Sequence, residues 1–579
     1  MSFKIPNPDA YAFLDEFRGK DFKGEWPTVV EMFEISCKRY PDNNCFRAFS
    51  PKELTFTYSQ ARKKILEVRN FLLSEGVRPG DKIAVSGKNS PEWAIAYLAV
   101  LYAGAIVVPL DCTYNDHDME TLMAFGGVSR IFTDGERVGT IDSSKRVGLV
   151  AKYSLEEKRP EGYSYILDLN GPEAEAPKAT EDDLAAILFT SGTTGTPKGV
   201  MLTHKNLVSD CYIAQLYMKL YPTDVFYAIL PIHHAYTMLA VFIESISVGA
   251  ACVFGKKLVV TQLLKELKLG KVTMFLGVPL LFNKLITALM NGVKKKGIVV
   301  YGLIRGLMGI SGFLKKVFHI SVGKKWFGFL LKKVSLENIR ICICGGGPLP
   351  ASTFKMYNEL GVNFVQGYGL TETSPITHLN PVEAYKEISV GRHLEGVEVR
   401  IENKDSDGNG VIHLRGPMVM QGYYNAPEAT REVLSEDGWL NTGDVGYEDA
   451  DGYLVLTGRA KNIIVTEGGK NVFPEEIEDH FQLYFDVEQI CITGYIKNKA
   501  EKSEGIAAII YPSAEARKNH KDDLQTYFES IVSEVNKTLQ SHKKITKTII
   551  ADEPLEMTST KKVKRFVVSK QYKDKLDNN

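Results

Sequence analysis

The stretch of sequence that decides the fold is a loop of glycines and hydroxyl residues closed by a lysine. It reads Thr190-Ser191-Gly192-Thr193-Thr194-Gly195-Thr196-Pro197-Lys198-Gly199. It follows Asp183 to Thr190, which is predicted to be a buried strand. Glycines let backbone N–H groups approach phosphate oxygens, hydroxyl groups add donors, and the lysine adds positive charge. Pro197 stands where a Walker A loop has glycine. The loop therefore predicts a different kind of nucleotide phosphate site, not an ordinary polar loop between a strand and a helix.

The sequence around this loop alternates helix-like and strand-like segments. Ser59 to Glu75 favours a helix and Lys82 to Val85 a strand, and another helix is expected from about Thr203. Such alternation predicts an α/β fold with largely parallel sheets.

One uncharged run, Trp93 to Leu110, is close to the length of a membrane span. Gly104 and Pro109 interrupt it. We interpret the run as a buried helix, about Pro91 to Ala103, that leads into a buried strand, about Ala105 to Val108.

The sequence pattern changes after Val397. Short strand-like segments are separated by turn dipeptides, among them Asp407-Gly408 and Asp451-Gly452, which favours a small antiparallel or β-barrel-like unit. From about Lys461 another segment begins, with predicted helices at Pro474 to Leu483 and Lys521 to Ser541. The main domain boundary is expected near Lys461.

The composition is that of an ordinary globular chain of two or more domains, since 579 residues exceed one core. Lys plus Arg and Asp plus Glu both number 70, so the charge indicates no nucleic-acid partner. Eight cysteines are scattered, and Cys342 and Cys344 have no second pair or histidine cluster at zinc spacing, which favours reduced, mostly buried thiols in a cytoplasmic protein. Met1 to Phe17 lacks the apolar stretch of a signal peptide. The sequence does not indicate an oligomeric state.

Ser191 to Lys198 resembles the signature loop of the adenylate-forming superfamily, which includes acyl-CoA synthetases, adenylation domains of peptide synthetases and beetle luciferases. Further motifs follow in the family's order over nearly the whole chain. The resemblance implies a large acyl-adenylating domain over residues 1–460, with parallel-rich α/β subdomains and the small β unit, and a mobile α+β domain over residues 461–579. It also implies ATP, Mg²⁺ and coenzyme A as cofactor and co-substrates. The residues implied to bind ATP in the loop are Thr190, Ser191, Gly192, Thr193, Thr194, Gly195 and Lys198.

A second motif, Gly367-Tyr368-Gly369-Leu370-Thr371-Glu372-Thr373, offers a flat aromatic ring, a hydroxyl and a carboxylate within a few residues. It is similar to the family's second core motif. The resemblance implies that Tyr368 lies against adenine, that Thr371 contacts the α-phosphate, and that Glu372 binds Mg²⁺. Carboxylate oxygens are the hard ligands that Mg²⁺ prefers.

Further positions complete the implied nucleotide and acyl sites. Gly345, Gly346 and Gly347 follow the predicted strand Ile341 to Cys344 and resemble the lining of the family's adenine pocket. Asp444 and Arg459 correspond to the ribose region, where a carboxylate can accept from two vicinal hydroxyls. His234 resembles the family's aromatic or histidine position beside the acyl site. The adjacent His233 is interpreted as structural, although either histidine could be an ordinary core residue.

The C-terminal segment supplies the remaining implied residues. Lys461 stands at the family's hinge position, and Gly468, Gly469 and Lys470 border its pantetheine tunnel. The family's last motif ends Gly-Lys-(aliphatic)-x-Arg, whereas here Lys561-Lys562-Val563-Lys564-Arg565 has lysine in place of glycine. Counting from Thr558 and Arg565 makes Lys562 the catalytic lysine, with Lys561 as the alternative.

The identity of the acid rests on the segment Leu267 to Leu336. It contains 13 Lys or Arg and no Asp or Glu, with apolar residues between them. Such a segment either lies on an anionic membrane surface or forms a solvated basic face. A similar basic insert before the glycine triplet is typical of the long-chain members of the family. The run from Lys461 to Val472 also resembles bacterial long-chain acyl-CoA synthetases. Both resemblances favour a long-chain fatty acid.

Two alternatives stay open beside a fatty acid:CoA ligase. One is an acyl-acyl-carrier-protein ligase with the same adenylation step. The other is a non-catalytic lipid-binding protein at a membrane surface, which intact Lys198, Glu372, Asp444 and Arg459 argue against. The expected location is cytoplasmic, with peripheral contact at the inner face of the membrane as an option.

Overall fold

The protein is described here from a computed structural model that covers residues 4–141, 148–175, 177–190, 197–465, 470–484, 486–498, 503–557 and 563–577. The strands are β1 (Asn44–Ala48), β2 (Leu54–Thr57), β3 (Lys82–Ser86), β4 (Ile106–Pro109), β5 (Val128–Thr133), β6 (Ala151–Ser154), β7 (Leu184–Thr190), β8 (Lys198–Thr203), β9 (Val225–Ala228), β10 (Ala251–Phe254), β11 (Met274–Gly277), β12 (Ile341–Cys344), β13 (Asn363–Gly369), β14 (Ile376–Leu379), β15 (Arg392–His393), β16 (Glu398–Glu402), β17 (Gly410–Arg415), β18 (Gly422–Tyr423), β19 (Leu440–Glu448), β20 (Leu454–Arg459), β21 (Ile464–Val465), β22 (Asn471–Val472), β23 (Val487–Asn498), β24 (Ser503–Pro512) and β25 (Lys547–Ile550).

The helices lie between the strands in sequence, and five of them, α14 to α18, belong to the C-terminal part. They are α1 (Val29–Arg39), α2 (Tyr58–Ser74), α3 (Pro91–Tyr102), α4 (Asp116–Gly126), α5 (His204–Ala214), α6 (Ala235–Thr237), α7 (Glu244–Ser247), α8 (Val260–Gly270), α9 (Pro279–Lys294), α10 (Ile298–Phe318), α11 (Gly323–Lys333), α12 (Ala351–Glu359), α13 (Pro427–Val433), α14 (Pro474–Asp479), α15 (Ala514–Asn519), α16 (Leu524–Thr538), α17 (Arg565–Gln571) and α18 (Lys573–Asp577). A π-helical segment, Met238–Ile243, joins α6 to α7.

The first large sheet has seven strands in the order β18-β8-β7-β4-β3-β5-β6. Strands β3 to β7 pair in parallel, and β8 and β18 are antiparallel additions. Its central helix is α3, which the Ser90 side chain caps by accepting from Trp93 N, with Pro91 at the first helical position. All of α3 except Glu92 is buried, so the uncharged run is a core helix followed by β4, as its sequence predicts.

The second large sheet has nine strands in the order β15-β14-β13-β12-β11-β9-β10-β1-β2. The strands from β13 through β1 pair in parallel, and β14, β15 and β2 add antiparallel edges. Because β1 comes from near the N-terminus, the chain begins this sheet before it builds the first. The α/β prediction with largely parallel sheets is confirmed.

The helix expected from about Thr203 is confirmed as α5, which begins at His204, but strand β8 before it was not predicted. The phosphate loop lies between two antiparallel strands, with Thr190 of β7 opposite Lys198 of β8, and α5 begins only after β8. This short strand was not predicted, because Gly195 and Pro197 just before Lys198 are residue types that favour a loop.

The C-terminal region contains an open antiparallel sheet, β16-β17-β19-β20, followed by the three-stranded sheet β23-β24-β25. Two predicted helices are shorter than their patterns suggested. One ends at Asp479, because Phe481 turns into the core beyond it, and the other spans only Leu524–Thr538. Residues from Ile464 to Leu576 supply two hydrophobic clusters of their own.

The basic segment, Leu267 to Leu336, covers the end of α8, strand β11 and the helices α9, α10 and α11. Helix α10 buries little besides Met308 and Ser311, and its apolar side chains face solvent. Among the described helices, α10 alone has the length and composition to cross a membrane, with a mean hydropathy of 1.4. A single helix of this kind is weak evidence for a span.

Candidate functional site

The two ends of the phosphate loop are held together by strand pairing. Thr190 Oγ1 donates to the backbone carbonyl of Lys198 at 3.5 Å. Ser191, Gly192, Thr193, Thr194 and Gly195 lie outside the described residues. Lys198 is described, and its Nζ lies 4.7 Å from the centre of the Tyr423 ring. This cation–π contact orients the lysine that closes the loop.

Tyr423 also connects the loop to the second core motif. Its hydroxyl donates to Glu372 Oε1 at 2.8 Å. Burial and the Glu372 carboxylate raise the pKa of Tyr423, so the hydroxyl stays protonated and remains a donor. Glu372 lies in a 3₁₀ turn, Thr371–Thr373, and its backbone carbonyl accepts from Met420 N at 2.9 Å. Lys198, Tyr423 and Glu372 therefore form one connected group.

Tyr423→Phe is expected to reduce the rate of pyrophosphate release about tenfold and to raise the Mg²⁺ concentration required. The phenyl ring keeps the contact with Lys198, while the Glu372 carboxylate loses a donor that fixes its direction. A lost hydrogen bond to a charged group costs roughly 1.5–3 kcal/mol, which covers a tenfold change. Initial rates against Mg²⁺ concentration are the measurement. Tyr424→Phe, at the adjacent position, is the control, and an unchanged Mg²⁺ dependence in Tyr423→Phe would contradict this role.

Tyr368, Asp444 and Arg459 form a second connected group. Tyr368 donates from its hydroxyl to Asp444 Oδ2 at 2.7 Å, and Arg459 Nε lies 2.8 Å from Asp444 Oδ1. The pairing of β19 with β20 sets Asp444 opposite Arg459. Tyr368 comes from the end of β13, so residues far apart in sequence meet here. Both Asp444 oxygens have partners within the protein, and a ribose would share or exchange them.

The glycine triplet follows β12 and lies against α6 and the start of α9. A Cβ on Gly345 would come within 3.1 Å of the Tyr236 ring, so only glycine fits without displacing it. Gly346 has φ +78°, which also favours glycine. Tyr236 donates from its hydroxyl to the carbonyl of Ile343 at 3.0 Å. The triplet thus forms a narrow surface at the carboxyl end of the second sheet, where ligands of α/β folds commonly bind.

His234 lies at the N-cap of α6, directly after the loop that follows β9. Asn89, after β3, fixes this loop: its Nδ2 donates to the carbonyls of Ala228 and Leu230 at 2.9 and 2.8 Å, and its Oδ1 accepts from Ile232 N at 3.0 Å. Because Asn89 belongs to the first sheet and the loop to the second, His234 lies where the two sheets meet. The His233 and His234 rings are 4.2 Å apart.

The expected hinge residue and part of the C-terminal motifs lie among the described residues. Lys461 lies in a 3₁₀ turn, Ala460–Asn462, where burial and then Arg459 lower its pKa. Lys470 is exposed just before β22. Gly468, Gly469, Lys561 and Lys562 lie outside the described residues. Met557 and Val563, the described residues on either side of this stretch, form an antiparallel bridge.

The small C-terminal region contacts the glycine triplet's turn. Gln482 Nε2 donates to the carbonyl of Pro348 at 3.1 Å, and Asn283 Nδ2 donates to Gln482 Oε1 at 3.0 Å. Arg565 binds Glu475 at 3.1 Å and Glu478 at 3.0 Å. Glu475 in turn accepts from Asn462 beside the hinge. These contacts link Arg565, which follows the expected catalytic lysine, to Asn462, next to the expected hinge residue Lys461.

Three residues at the site were missed from the sequence: Tyr423, Asn89 and Asp111. Tyr423 stands in Gly422-Tyr423-Tyr424, a pattern with no local chemical signal. Asp111 lies near the histidine pair, with its Oδ2 3.5 Å from His233 Nε2. Only long-range contacts assign these residues, because each partner lies at least 50 residues away in sequence.

Comparison with known proteins agrees with this geometry. Residues 33–424 match the model of AMP-binding enzymes, and residues 461–579 match the AMP-binding enzyme C-terminal domain. A long-chain-fatty-acid–[acyl-carrier-protein] ligase of Arabidopsis thaliana is 26% identical, over 96% of this chain and 86% of the relative. A long-chain-fatty-acid–CoA ligase of Bacillus subtilis is 28% identical, over 81% of this chain and 82% of the relative.

Solved structures show the same fold. An ATP-bound RpMatB-BxBclM chimera has a TM-score of 0.74 at 25% identity, covering 95% of this chain and 99% of its own. An anthranilate CoA ligase in complex with anthranoyl-AMP has a TM-score of 0.76 at 20% identity, covering 96% and 98%. The adenylate-forming fold expected from the sequence is confirmed. The chain belongs to the AMP-binding enzyme family and is an ATP-dependent acid–thiol ligase.

Proposed function

We propose that the protein is a long-chain fatty acid:CoA ligase that forms an acyl-adenylate, releases pyrophosphate, and transfers the acyl group to coenzyme A with release of AMP. The observation that carries the adenylation half is the presence of two connected groups, Lys198–Tyr423–Glu372 and Tyr368–Asp444–Arg459, whose members Tyr368 and Glu372 belong to one motif. One group presents a cation and a carboxylate suited to a metal-bound triphosphate. The other presents a buried aromatic ring and a carboxylate suited to a nucleoside.

The donor chemistry at Glu372 fits Mg²⁺, since carboxylate oxygens are the ligands that this ion prefers and the Tyr423 hydroxyl fixes the direction of the carboxylate. Glu372 would hold the ion, which neutralises charge on the triphosphate. Lys198 and the phosphate loop bind the phosphates, Thr371 the α-phosphate, and Asp444 the ribose. A carboxylate substrate is already a nucleophile at neutral pH, so these residues act by positioning and by charge compensation. His234 borders the acyl group.

The domain organisation is proposed as residues 1–460 and 461–579 with a hinge at Lys461. Two features support it. The C-terminal residues have their own hydrophobic clusters. The proposed hinge lies between Arg459, which pairs with Asp444 of the large domain, and Asn462, which donates to Glu475 of the small domain. Rotation at the hinge would exchange Lys562 for the Gly468, Gly469 and Lys470 face, which borders pantetheine.

The long-chain acid is supported by the names of the relatives and by the exposed apolar helix α10. The acyl acceptor is coenzyme A in one relative's name and an acyl carrier protein in the other's. Formation of AMP is tested with a panel of saturated acids of increasing chain length, each with ATP and either coenzyme A or acyl carrier protein. Maximal AMP formation with long acids and coenzyme A supports the proposal.

The same panel can contradict it. Preference for a short or aromatic acid would overturn the substrate class, and activity with the carrier protein alone would make the protein an acyl-acyl-carrier-protein ligase. Absence of pyrophosphate release with every acid would favour a non-catalytic lipid-binding protein.

The surface of α10 further suggests contact with an anionic membrane. Val299, Leu303 and Phe313 are 80%, 65% and 58% exposed, and with Ile310 and Val317 they follow helical spacing on one face. An exposed apolar face of this extent marks an interaction surface. Lys294, Lys295, Lys296, Lys325, Lys332 and Lys333 are exposed beside it.

Not every basic residue of the segment is available for lipid. Arg305 pairs with Glu359 at 3.2 Å, Lys316 with Glu387 at 2.9 Å, and Lys315 donates to Asn358 and Asn363 at 2.7 and 2.9 Å. The exposed lysines that precede and follow α10 in the sequence therefore supply the positive charge that contacts anionic lipid. We propose a cytoplasmic enzyme that binds reversibly to the inner face of the membrane.

Flotation with liposomes is expected to recover the protein with anionic vesicles at low salt and much less at 1 M salt, where the Debye length is about 3 Å. The double variant Val299→Ser/Phe313→Ser should float several-fold less. Ile388→Ser, at another exposed apolar position, is the matched control. Equal recovery with neutral and anionic vesicles would contradict electrostatic docking. A concentration-dependent dimer that the double variant abolishes would assign the face to a second copy.

A further inference from the structure

We propose that Asp111, His233 and His234 form a binding site for a divalent transition-metal ion of the Zn²⁺ class, and that the occupied site inhibits adenylation. Each residue offers one ligand atom, and these atoms all lie within 4.8 Å of one another. Asp111 follows β4 of the first sheet, and the histidines follow β9 of the second. The site therefore joins the two sheets beside the acyl end of the candidate active site.

Two of the three ligand atoms are buried and have no hydrogen-bond partner among the residues that the structure describes. They are Asp111 Oδ2 and His233 Nε2, which face each other at 3.5 Å. Buried polar atoms of this kind are rare and costly, because they have lost their water without gaining a partner. The other Asp111 oxygen is satisfied, since it accepts from Thr113 N at 2.8 Å and Thr113 Oγ1 at 2.7 Å.

The distance between the two atoms suits a shared ion. In a tetrahedral zinc site with bonds of about 2.0–2.1 Å, two ligand atoms lie roughly 3.3 Å apart. A direct N–H···O hydrogen bond would be shorter, at about 2.9 Å. His234 is half-buried beside them, and its ligand atom lies within 4.8 Å of both.

The chemistry of the ligands selects the class of ion. Two imidazoles and one carboxylate favour Zn²⁺, Co²⁺ or Ni²⁺ over Mg²⁺, which prefers oxygen ligands. A neutral imidazole is the form that binds metal.

The two loops that carry the ligands are already fixed. Asn89 holds the loop after β9 with three hydrogen bonds, and the Thr113 bonds hold Asp111. A site preorganised in this way loses little conformational entropy when an ion binds. The inhibitory part rests on the proposed function, because it requires that His234 borders the acyl site. A bound ion would draw the His234 side chain away from that site.

Binding is measured first, without reference to activity. The full-length protein, dialysed free of metal, is titrated with Co²⁺ to observe its visible ligand-field absorption, and with Zn²⁺ in competition with a chromophoric chelator. One ion per chain is expected. Asp111→Asn and His233→Gln should each weaken binding at least about tenfold, since loss of residues that merely support ligands already costs 10- to 100-fold.

Two controls separate this site from other zinc ligands. His413→Gln removes a histidine that also faces a carboxylate, Glu402 at 3.9 Å, and Cys112→Ser removes the thiol next to Asp111. Both should bind Zn²⁺ as the unaltered protein does. An unfolding midpoint that Zn²⁺ raises in the unaltered protein and in the controls, but not in folded Asp111→Asn, gives an independent readout.

Inhibition is measured as pyrophosphate release with and without Zn²⁺ at fixed Mg²⁺ and ATP. The unaltered enzyme should lose activity at Zn²⁺ concentrations that fill the site. Asp111→Asn should need a Zn²⁺ concentration at least about tenfold higher for the same loss. Because both proteins are assayed at the same ATP concentration, the comparison also corrects for Zn²⁺ bound by ATP. Absence of binding, or binding unchanged in both site variants, would overturn the site. Zn²⁺ binding at the site with full activity would overturn the inhibitory role and the proposed place of His234 beside the acyl site. The ligase function is tested separately, by the panel of acids.

Discussion

Glu372→Gln is expected to lower the rate of acyl-adenylate formation at least about 100-fold without loss of folded protein. The amide oxygen can still accept from the Tyr423 hydroxyl, and the backbone bond from Met420 N is unchanged, so the local structure persists. What the variant loses is the negative charge that makes a good Mg²⁺ ligand. A 100-fold loss corresponds to about 2.7 kcal/mol of transition-state stabilisation.

The measurement is pyrophosphate release with a long-chain acid, over a range of Mg²⁺ concentrations. Glu383→Gln is a matched control, since it makes the same chemical change at a glutamate outside both connected groups. A far-UV circular dichroism spectrum and unfolding midpoint like those of the unaltered protein establish that the fold is intact. Near-normal pyrophosphate release at ordinary Mg²⁺ would contradict the assignment of Glu372.

Lys562→Ala is expected to separate the two half-reactions. Its ammonium would compensate charge on the α-phosphate as pyrophosphate leaves, and that charge is absent when the thiol attacks the acyl carbon. Adenylation should fall at least about 100-fold, whereas thioester formation from presynthesised acyl-adenylate and coenzyme A should stay near normal. The pairing of Met557 with Val563 and the ion pairs of Arg565 should hold the rest of the loop in place.

Two further variants complete this test. Gly468→Leu should show the opposite pattern, with adenylation kept and thioester formation lost, because the side chain would fill the space for pantetheine. Lys561→Ala distinguishes the two neighbouring lysines. Equal loss of both half-reactions in Lys562→Ala would indicate a structural lysine, and loss of adenylation only in Lys561→Ala would move the role to Lys561.

Local patterns predicted much of the fold. The Trp93 helix and β4 are where the uncharged run indicated, because burial on all sides leaves a continuous apolar sequence. Strand β8 was missed because its pattern begins in the phosphate loop, whose glycines and proline indicate no regular structure. Helix α14 was predicted too long, since the turn at Phe481 depends on a core that a local pattern does not contain.

The candidate site was predicted by resemblance more than by physics. Motif residues such as Glu372, Asp444 and Arg459 were named, but Tyr423 was not, because the pairing of β18 with β8 and not a local motif brings it to this site. Asp111 was missed for the same reason. A sequence search for metal sites looks for close spacing, whereas this carboxylate and the histidine pair come from different sheets.

The order of strands in the second sheet has a consequence for synthesis of the protein. Strand β1 pairs with β10, with Phe46 beside Cys252, yet β10 follows β1 by about 200 residues. At a translation rate of about 5–20 residues per second, β1 waits roughly 10–40 s for this partner. During that time the hairpin of β1 and β2 has an unpaired edge carrying Cys45 and Phe46, both fully buried in the finished protein. The nascent chain thus exposes an unpaired strand edge that can pair with other chains while synthesis continues. A chaperone that covers extended apolar segments would therefore raise the yield of folded enzyme.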